Sequence, residues 1–293
     1  MARRYDTVTF LSDYGRTDEF VGVVHSVIRS LAPHVTVLDL THDLAPYDTR
    51  GGGLLLARAA QYLTPGVVVA VVDPGVGTTR RGIAVEVGGG ESVLIGPDNG
   101  LLAPAVAMCG GADRAVELTE PDYRLPAPGA TFDGRDVFAP AAAHLCNGVA
   151  LDRLGPSIEP GALLPGVLPV SRLEEGGLVA EVLWVDRYGN AQLNVDPAEI
   201  DELVGEGEPV EVVWNEGSRV AQRVEAFAEV GPGQVGLVTD AYGLAALVAD
   251  RASAADELGL PAGTAVTLRA LPEGGGSSGS VTTSVSIGPK GGA

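Results

Sequence analysis

The stretch GVVVAVVDPGVGTTRRGIAVEV, residues 66–87, decides the fold class because it contains two strand-like runs joined by a polar turn. Both runs are rich in β-branched residues, and the first is apolar on both faces, as strands buried inside an α/β sheet are. This first run ends on Asp73, and Pro74 and Gly75 then fix a tight turn. Ligands of open α/β sheets bind at the carboxyl ends of strands. The stretch therefore predicts a buried sheet that holds a carboxylate where a ligand would bind.

The first half of the chain alternates strand-like runs with helix-like segments, which favours an α/β sheet covered by helices. The other strand-like runs are TVTFLSD (7–13), VTVLDLTHDL (35–44) and SVLIGPDNG (92–100). The helix-like segments, with apolar residues at helical spacing, are 18–33, 51–66 and 136–148. We therefore predict an N-terminal, sandwich-like α/β sheet domain over residues 1–165.

The second half of the chain has a different pattern of predicted elements. A connector rich in proline and glycine occupies residues 155–176, and short strand-like runs separated by turns follow it. Two brief helix-like segments interrupt these runs, at 197–204 and 251–259. The pattern predicts a smaller, mainly antiparallel C-terminal β domain over residues 176–272. The Gly/Ser-rich tail, residues 273–293, is expected to be disordered.

The charge balance bears on the class of partner. The formal net charge is −19, which argues against nucleic acid or an anionic membrane surface as a partner and favours a small-molecule ligand. The start of the chain passes directly into a strand-like pattern without a signal-peptide apolar region, and we found no apolar run long enough to span a bilayer. These features predict a cytoplasmic protein.

Cysteine and histidine spacing gives no sign of a metal site. The chain has two cysteines, Cys109 and Cys146, both in apolar helix-like contexts where small buried side chains are expected. The four histidines include no pair at the i, i+4 spacing of a helical zinc site. The sequence therefore predicts neither a disulfide framework nor a metal site.

Two polar clusters follow strand-like runs in the first half. Asp13 could accept hydrogen bonds from both hydroxyls of a ribose, or Asp13 and Asp18 could be a turn residue and a helix cap. After the turn at Asp73 come two adjacent arginines, Arg80 and Arg81, either of which could fold back to pair with it. Such a pair suits a catalytic site or a purely structural ion pair.

Two more polar clusters lie further along the chain. In ATFDGRDVFAP, residues 130–140, Asp133 precedes an apolar helix whose expected N-cap is Asp136. In VDRYGNAQLN, Asp186 follows a strand, and Tyr188 and Asn190 offer an aromatic ring and an amide suited to adenine. The alternative for this second cluster is an ordinary β-hairpin turn.

Five stretches, in this order, resemble a known family: TFLSDYGRTDEFVG, VVDPGVGTTRR, IGPDNGLL, TFDGRDVFAPAAAHL and VDRYGNAQLN. Over about residues 5–271 the chain resembles the S-adenosyl-L-methionine (SAM) hydroxide adenosyltransferases, hydrolases homologous to the bacterial fluorinase and chlorinase. The resemblance implies SN2 attack of water or hydroxide on C5′ of the ribose, giving adenosine and methionine. It implies no metal or organic cofactor, and a homotrimer whose active sites lie between the N-terminal domain of one subunit and the C-terminal domain of its neighbour.

The resemblance also implies roles for individual residues. Asp73 would orient the nucleophilic water as a member of a catalytic triad with Arg80 and Asp133, and Arg81 is the alternative arginine by position. Substrate-binding residues carried over in the same way are Asp13 at the ribose hydroxyls, Tyr47 against the ligand, Thr131 and Phe132 around the ribose, Asp18 and Asp186 at the methionine ammonium, Tyr188 and Asn190 at the adenine, and Tyr242 near the methionine carboxylate.

Two positions depart from the family pattern. The family hydrolases have TFHGRD where this chain has TFDGRD, so Asp133 replaces the triad histidine. Asp133 could share a proton with Asp73, or His144 in the next helix could substitute, although a packed role is expected for it. Where the family has Ser-Ser or Ser-Arg before a glycine, this chain has Ala241 and Tyr242.

These departures leave two alternatives to a SAM hydrolase. The loss of the histidine could leave a protein that binds SAM or adenosine without turnover. A nucleophilic halogenase of the same family is the third reading, but halogenases carry a tyrosine where this chain has Asp73. A carboxylate about 4 Å from a halide would cost roughly 4 kcal/mol at an effective dielectric of 20.

Overall fold

The computed structural model describes residues 5–271, which fall into two compact units, one ending at Leu168 and the other beginning at Pro169. The predicted disordered tail, 273–293, lies outside the described residues. Within residues 5–271 every helix is too short or too polar to cross a bilayer.

The first unit is built on one mixed sheet of seven strands. They are β1 (Thr7–Ser12), β2 (Thr36–Thr41), β3 (Val67–Val71), β4 (Gly82–Val87), β5 (Ser92–Pro97), β6 (Arg114–Glu117) and β7 (Ser157–Ile158). Their order across the sheet is β2-β1-β3-β5-β4-β6-β7. The four strands from β2 to β5 run parallel, whereas β4, β6 and β7 pair antiparallel. The predicted α/β class is confirmed.

Helices cover both faces of this sheet. They are α1 (Phe20–Leu31), α2 (Thr49–Ala60), α3 (Ala103–Met108) and α4 (Ala139–Cys146), the last preceded by a π-helical turn at Gly134–Phe138. Helices α1 and α4 pack in one core with Phe10 and Val69, and α2 and α3 lie on the opposite face with Val68 and Leu94. Successive residues of each buried strand therefore point alternately into the apolar cores on the two faces of the sheet, which explains why these strands are continuous apolar runs.

The second unit is a closed β-barrel. Its strands are β8 (Arg172–Glu174), β9 (Gly177–Val185), β10 (Ala191–Leu193), β11 (Val210–Trp214), β12 (Gly217–Arg223), β13 (Val235–Thr239), β14 (Ala245–Val248) and β15 (Ala265–Arg269). Pairing of β10 with both β14 and β9 closes the barrel, and β8 adds to the outside of β9. The prediction of a mainly antiparallel domain is confirmed, and among residues 169–271 the single parallel pair is β12 with β13.

Helix α5 (Pro197–Val204) has the predicted bounds, because Asp196 forms a capping box with Glu199 and Pro197 occupies the first helical turn. The second predicted helix is shorter than expected: α6 is Ala254–Leu258, and Ser253 caps it. Gly259 ends it in the left-handed conformation.

Two local predictions were wrong. Cys109 is exposed because it follows the last turn of the short helix α3, whereas Cys146 is buried as expected. Asp136 does not cap a helix: the helical turn begins three residues earlier, after Asp133, and Asp136 lies inside it. The buried Asp136 carboxylate instead accepts hydrogen bonds from Arg135 at 2.6 and 2.8 Å.

Candidate active site

Asp13 and Asp73 lie at the same edge of the first unit's sheet. Strands β1 and β3 are parallel neighbours, and Ser12 is in register with Val71, so each strand ends next to the other. The backbone N–H of Asp13 donates to the carbonyl of Val71 at 3.3 Å. Two carboxylates from distant parts of the sequence are thereby placed at the carboxyl ends of adjacent strands, where α/β sheets bind ligands.

Arg80 joins Asp73 to Asp133. Its Nε donates to Asp73 Oδ1 at 3.1 Å, and its Nη2 contacts Asp73 Oδ2 in a bidentate pair. The same Nη2 donates to Asp133 Oδ2 at 2.6 Å. Only 9% of the Arg80 side chain and 5% of the Asp73 side chain are exposed, against 20% for Asp133. We call these three residues the triad cluster.

The loops around the triad cluster are fixed by short backbone contacts. Asn99 donates its amide to the carbonyl of Val72 at 2.9 Å, which braces the end of β3 immediately before Asp73. Gly77 has φ of 77°, and a Cβ there would come within 2.7 Å of the Ala130 carbonyl oxygen. Only glycine allows the loop after Asp73 to approach the segment that carries Asp133 so closely.

The electrostatics of the triad cluster favour a proton-accepting Asp73. Burial raises the pKa of the Asp73 carboxyl above its ordinary value, the Arg80 guanidinium opposes this shift, and the charge of Asp133 adds to it. Two carboxylates share one guanidinium, so the cluster carries a formal charge of −1 when both are ionised. A carboxylate with a raised pKa is a better base at neutral pH than an exposed one.

Arg81 has a different partner, which resolves the choice between the two arginines. Its Nε donates to Asp98 Oδ2 at 2.9 Å, and its Nη2 donates to the carbonyl of Ala162 at 2.7 Å. The other oxygen of Asp98 accepts from the backbone N–H of Leu164 at 2.9 Å. Arg81 therefore holds the segment around Ala162 against the sheet, and Arg80 is the arginine of the cluster.

Tyr14 is a member of the site that sequence reasoning missed. A Cβ on Gly134 would come within 2.2 Å of the Tyr14 hydroxyl, so the tyrosine reaches the residue that follows Asp133. Burial raises the pKa of Tyr14, and the charges of Asp13, Asp73 and Asp133 raise it further. The hydroxyl therefore keeps its proton and can donate a hydrogen bond within the site. Its position directly after Asp13 was the only signal in the sequence.

Asp13 and Tyr47 are brought together as well. The backbone N–H of Tyr47 donates to Asp13 Oδ2 at 2.9 Å, which leaves Oδ1 of the carboxylate for other donors. Tyr47 adopts φ of 68°, a left-handed conformation that is unfavourable for a tyrosine, and 73% of its surface is exposed. A strained, exposed aromatic residue whose backbone is held by a hydrogen bond to a site carboxylate is typical of a ligand-binding position.

Phe132 belongs to an aromatic group beside the triad cluster. Its ring meets those of Tyr14 and Phe20 edge to face, at centroid distances of 5.6 and 5.1 Å. Thr131 is exposed next to it, and Asp18 is exposed just before α1 without capping that helix. His144 lies in α4 with its ring against Tyr123 at 4.9 Å, as expected for a packed residue.

In the second unit, Asp186 organises the turn that carries Tyr188 and Asn190. Asp186 Oδ1 accepts from the backbone N–H groups of Tyr188 and Asn190 at 2.8 and 2.9 Å, and Oδ2 accepts from the Asn190 side chain at 2.8 Å. The turn joins the antiparallel strands β9 and β10, so the hairpin alternative describes its backbone correctly. Tyr188 is 75% exposed at the tip and is available to a ligand.

Tyr242 lies in the turn between β13 and β14. Asp240 Oδ1 accepts from its backbone N–H at 2.8 Å, and Asp240 Oδ2 accepts from the side chain of Gln192. Because β10 and β14 are antiparallel, the Tyr242 turn and the Asp186 turn lie at opposite ends of the three-residue strand β10. They are separated by about three residues of strand, roughly 10 Å.

Comparison with known proteins gives a consistent result. Residues 8–155 match the sequence profile of the SAM hydroxide adenosyltransferase N-terminal domain, and residues 180–267 match that of the C-terminal domain. An (R)-S-adenosyl-L-methionine hydrolase of Salinispora arenicola is 43% identical over 256 residues, covering 87% of this chain and 95% of that protein. A fluorinase of Actinopolyspora mzabensis is 26% identical over 234 residues, covering 71% of this chain and 78% of the fluorinase.

The fold comparison agrees with the sequence comparison. The crystal structure of an uncharacterized conserved protein from Thermotoga maritima matches with a TM-score of 0.83 at 28% identity, covering 89% of this chain and 99% of that one. Both of the family's domains are matched in order, and hydrolase relatives are more similar than fluorinases. The chain belongs to the SAM hydroxide adenosyltransferase family.

Proposed function

We propose that this protein hydrolyses SAM to adenosine and L-methionine, and that the triad cluster of Asp73, Arg80 and Asp133 is its catalytic centre. The observation that carries the proposal is the buried Asp73 carboxylate, fixed at a strand end by a bidentate arginine. Family membership and the hydrolase named from Salinispora support the same reaction.

In the proposed step, water attacks C5′ of the ribose in line with the sulfonium. A C5′–O bond forms, the C5′–S bond breaks, and its electron pair leaves with the sulfur of methionine. The proton lost by the water passes to Asp73 and then to solvent. Arg80 occupies one lone pair on each Asp73 oxygen, and a carboxylate can accept about four hydrogen bonds, so Asp73 retains acceptor capacity for the water.

Asp133 takes the place of the family histidine as the third member. Its contact at 2.6 Å is with Arg80 Nη2, the same nitrogen that contacts Asp73, so it helps to fix the guanidinium. Its negative charge raises the pKa of Asp73 and so strengthens Asp73 as a base. Asp133 thus increases the basicity of Asp73 through its negative charge.

Water, rather than a halide, suits this centre as the nucleophile. The cluster has a formal charge of −1 even after Arg80 neutralises one carboxylate. At about 4 Å and an effective dielectric of 20, one uncompensated charge disfavours a halide by roughly 4 kcal/mol, whereas neutral water carries no such penalty. We therefore propose a hydrolase and not a halogenase.

For the substrate we propose two groups of binding residues. In the first unit, Asp13 would accept from the ribose hydroxyls through its remaining oxygen, with Tyr47, Thr131 and Phe132 around the sugar and Asp18 at the methionine ammonium. In the second unit, Tyr188 and Asn190 would contact adenine, Asp186 the ammonium and Tyr242 the methionine carboxylate. Tyr47 and Tyr188 are each about three-quarters exposed, at 73% and 75%, as ligand-stacking rings must be before binding.

We further propose that the two groups meet between subunits of a homotrimer, as the family resemblance implies. Light scattering is then expected to give about three times the chain mass of 29.8 kDa. A monomeric, fully active enzyme would contradict this arrangement.

The decisive experiment incubates the purified chain with each sulfonium epimer of SAM and follows adenosine and methionine by chromatography. We expect turnover in excess over enzyme and, following the name of the Salinispora relative, a preference for the R epimer. Asp73→Asn should lower kcat by about 100-fold or more, the range for loss of a general base, while the Kd for SAM changes little.

Asp98→Asn is the matched control, because Asp98 is also a buried carboxylate that follows a strand and pairs with an arginine. Each variant is first checked by circular dichroism and thermal unfolding. Tight binding without turnover by the unmutated protein would identify it as a binding protein. Equal losses in kcat for Asp73→Asn and Asp98→Asn would contradict the catalytic role of Asp73.

A further inference from the structure

Three potential metal ligands converge at the β2 edge of the first unit's sheet, outside the triad cluster. Asp39 Oδ1 lies 2.7 Å from His25 Nε2 and 3.0 Å from His42 Nε2. One donor atom from each residue lies within 4.8 Å of the others. We call these residues the His-Asp-His cluster.

An irregularity in β2 explains why Asp39 and His42 share a face. In a regular strand, side chains three residues apart point to opposite faces. Here Phe10 pairs with Asp39, but the next residue, Leu11, pairs with Thr41, so β2 carries one extra residue at this point. Such a bulge turns the following side chains to the other face. His42 is thereby placed on the side of the sheet that α1 covers, and α1 supplies His25.

His42 has the environment of a preorganised ligand. Its side chain is fully buried, and its ring packs on that of Phe10 with a centroid distance of 4.6 Å. Its Nδ1 lies 2.7 Å from the hydroxyl of Ser12. Its buried Nε2, although close to Asp39, makes no hydrogen bond of acceptable geometry within residues 5–271. If Nδ1–H donates to Ser12, Nε2 presents a lone pair, the arrangement in which metal-binding histidines are held.

From this convergence we propose that His25, Asp39 and His42 form a binding site for a divalent transition-metal ion of the Zn²⁺ or Co²⁺ class. Two imidazoles and one carboxylate are a donor set that such ions prefer, whereas Mg²⁺ and Ca²⁺ prefer oxygen ligands alone. The side chains of His25 and Asp39 are 35% and 25% exposed, so an ion can enter and a water can fill a fourth position.

The required rearrangement is small. With ligand bonds of about 2.1 Å, tetrahedral geometry separates ligand atoms by roughly 3.4 Å. The present separations of 2.7 and 3.0 Å must therefore open by about 0.7 and 0.4 Å, and the two histidine nitrogens already lie within 4.8 Å of each other. His25 and Asp39 are both partly exposed and can move by these amounts while the buried His42 stays in place.

An ion in this site would have a structural consequence for substrate binding. Ser12, which contacts His42, immediately precedes Asp13, and the carbonyl of His42 accepts from the backbone N–H of Gly15 at 2.8 Å. The segment after His42 leads to Tyr47, whose backbone contacts Asp13. A bound ion would hold these two segments together, and it would stabilise the site without taking part in the reaction. The proposal does not depend on the proposed function.

The test titrates ZnCl₂ into the tag-free full chain by calorimetry and CoCl₂ by visible absorption. Both titrations use a Cys109→Ser background, because Cys109 is an exposed thiol that can bind these ions itself. We expect one ion per chain, a Co²⁺ spectrum with nitrogen ligands, and a higher midpoint of thermal unfolding with Zn²⁺.

His25→Asn and Asp39→Asn remove ligands from partly exposed positions, and each should lower Zn²⁺ affinity at least about tenfold and abolish the thermal shift. His34→Asn is the matched control, since it removes a nearby histidine that is outside the cluster and should leave binding unchanged. The proposal is overturned if no ion binds at one per chain, if neither ligand variant weakens binding, or if His34→Asn weakens it equally.

Discussion

Replacing Arg80 by methionine gives the sharpest test of the triad cluster. Methionine keeps much of the apolar volume of the side chain and removes the guanidinium that both Asp73 and Asp133 contact. The two carboxylates would then face each other without a counter-charge in a site where Asp73 is 5% exposed. Asp73 should respond by holding its proton to higher pH.

The size of this response follows from the geometry. At a charge separation of about 4 Å and an effective dielectric of 20, the guanidinium favours the ionised Asp73 by roughly 4 kcal/mol. At about 1.4 kcal/mol per pKa unit, its removal should raise the pKa of Asp73 by roughly three units. Because burial already places this pKa above the ordinary value, the protonated fraction of Asp73 at neutral pH would increase further. A protonated carboxyl cannot accept the water's proton, so kcat should fall about 100-fold or more.

The assay is the pH dependence of kcat, measured by adenosine release at saturating SAM. In the unmutated enzyme the activity should fall as the pH drops through the pKa of Asp73. In Arg80→Met this acidic limb should move upward by roughly three pH units, so part of the activity returns in alkaline buffer. Arg81→Met is the matched control, because the adjacent arginine pairs with Asp98 instead.

Two results would refute this reasoning. One is a kcat for Arg80→Met within about threefold of the unmutated enzyme. The other is a reduced kcat whose pH profile has not moved, which would indicate misplacement of the loop rather than protonation of Asp73. Circular dichroism and thermal unfolding of both variants separate these outcomes from failure to fold, since removing one partner of a buried pair is itself destabilising.

Three further predictions concern neighbouring residues. Asp133→Asn should move the acidic limb of the kcat–pH profile to lower pH, because the charge of Asp133 raises the pKa of Asp73. An unchanged profile would contradict this role of Asp133. Tyr14→Phe should lower kcat about 10- to 100-fold with little change in unfolding temperature, and unchanged kinetics would show that the hydroxyl contacts neither water nor substrate. Asp13→Ala should raise the Kd for SAM while kcat changes little, and an unchanged Kd, measured by calorimetry, would exclude the ribose contact.

Much of the fold could be predicted from local patterns. The β-branched run after Gly66 became the buried inner strand β3, and the proline and acidic residues around Asp196 set the start of α5. Alternation of strands and helices predicted the α/β unit, and closely spaced strands predicted the β unit. Barrel closure was not predicted, because β10 pairs not only with its hairpin partner β9 but also with β14, which lies about 50 residues further along the chain.

The candidate site was predictable only in outline. Motif similarity indicated Asp73, Arg80 and Asp133, with the adjacent Arg81 as the alternative arginine by position. The path of the loop after Gly77 decided between them, and it brings Arg80 to a residue 53 positions away. Tyr14 was missed because a tyrosine beside a strand end has no distinctive spacing, and its proximity to Gly134 exists only in the folded chain.

The sequence by itself determined the two classes of domain, the family, and the position of Asp73 at the end of a buried strand. These features depend on periodicity, turn residues and ordered motifs, all of which are local. The tertiary structure alone showed that Arg80, the arginine that motif similarity favoured, bridges Asp73 and Asp133, and that His25 meets Asp39 and His42. The histidines had no metal-site spacing in the sequence, because one comes from a helix and the other follows a bulged strand. Such contacts depend on how helices and strands pack against each other, and the spacing of residues along the sequence does not indicate that packing.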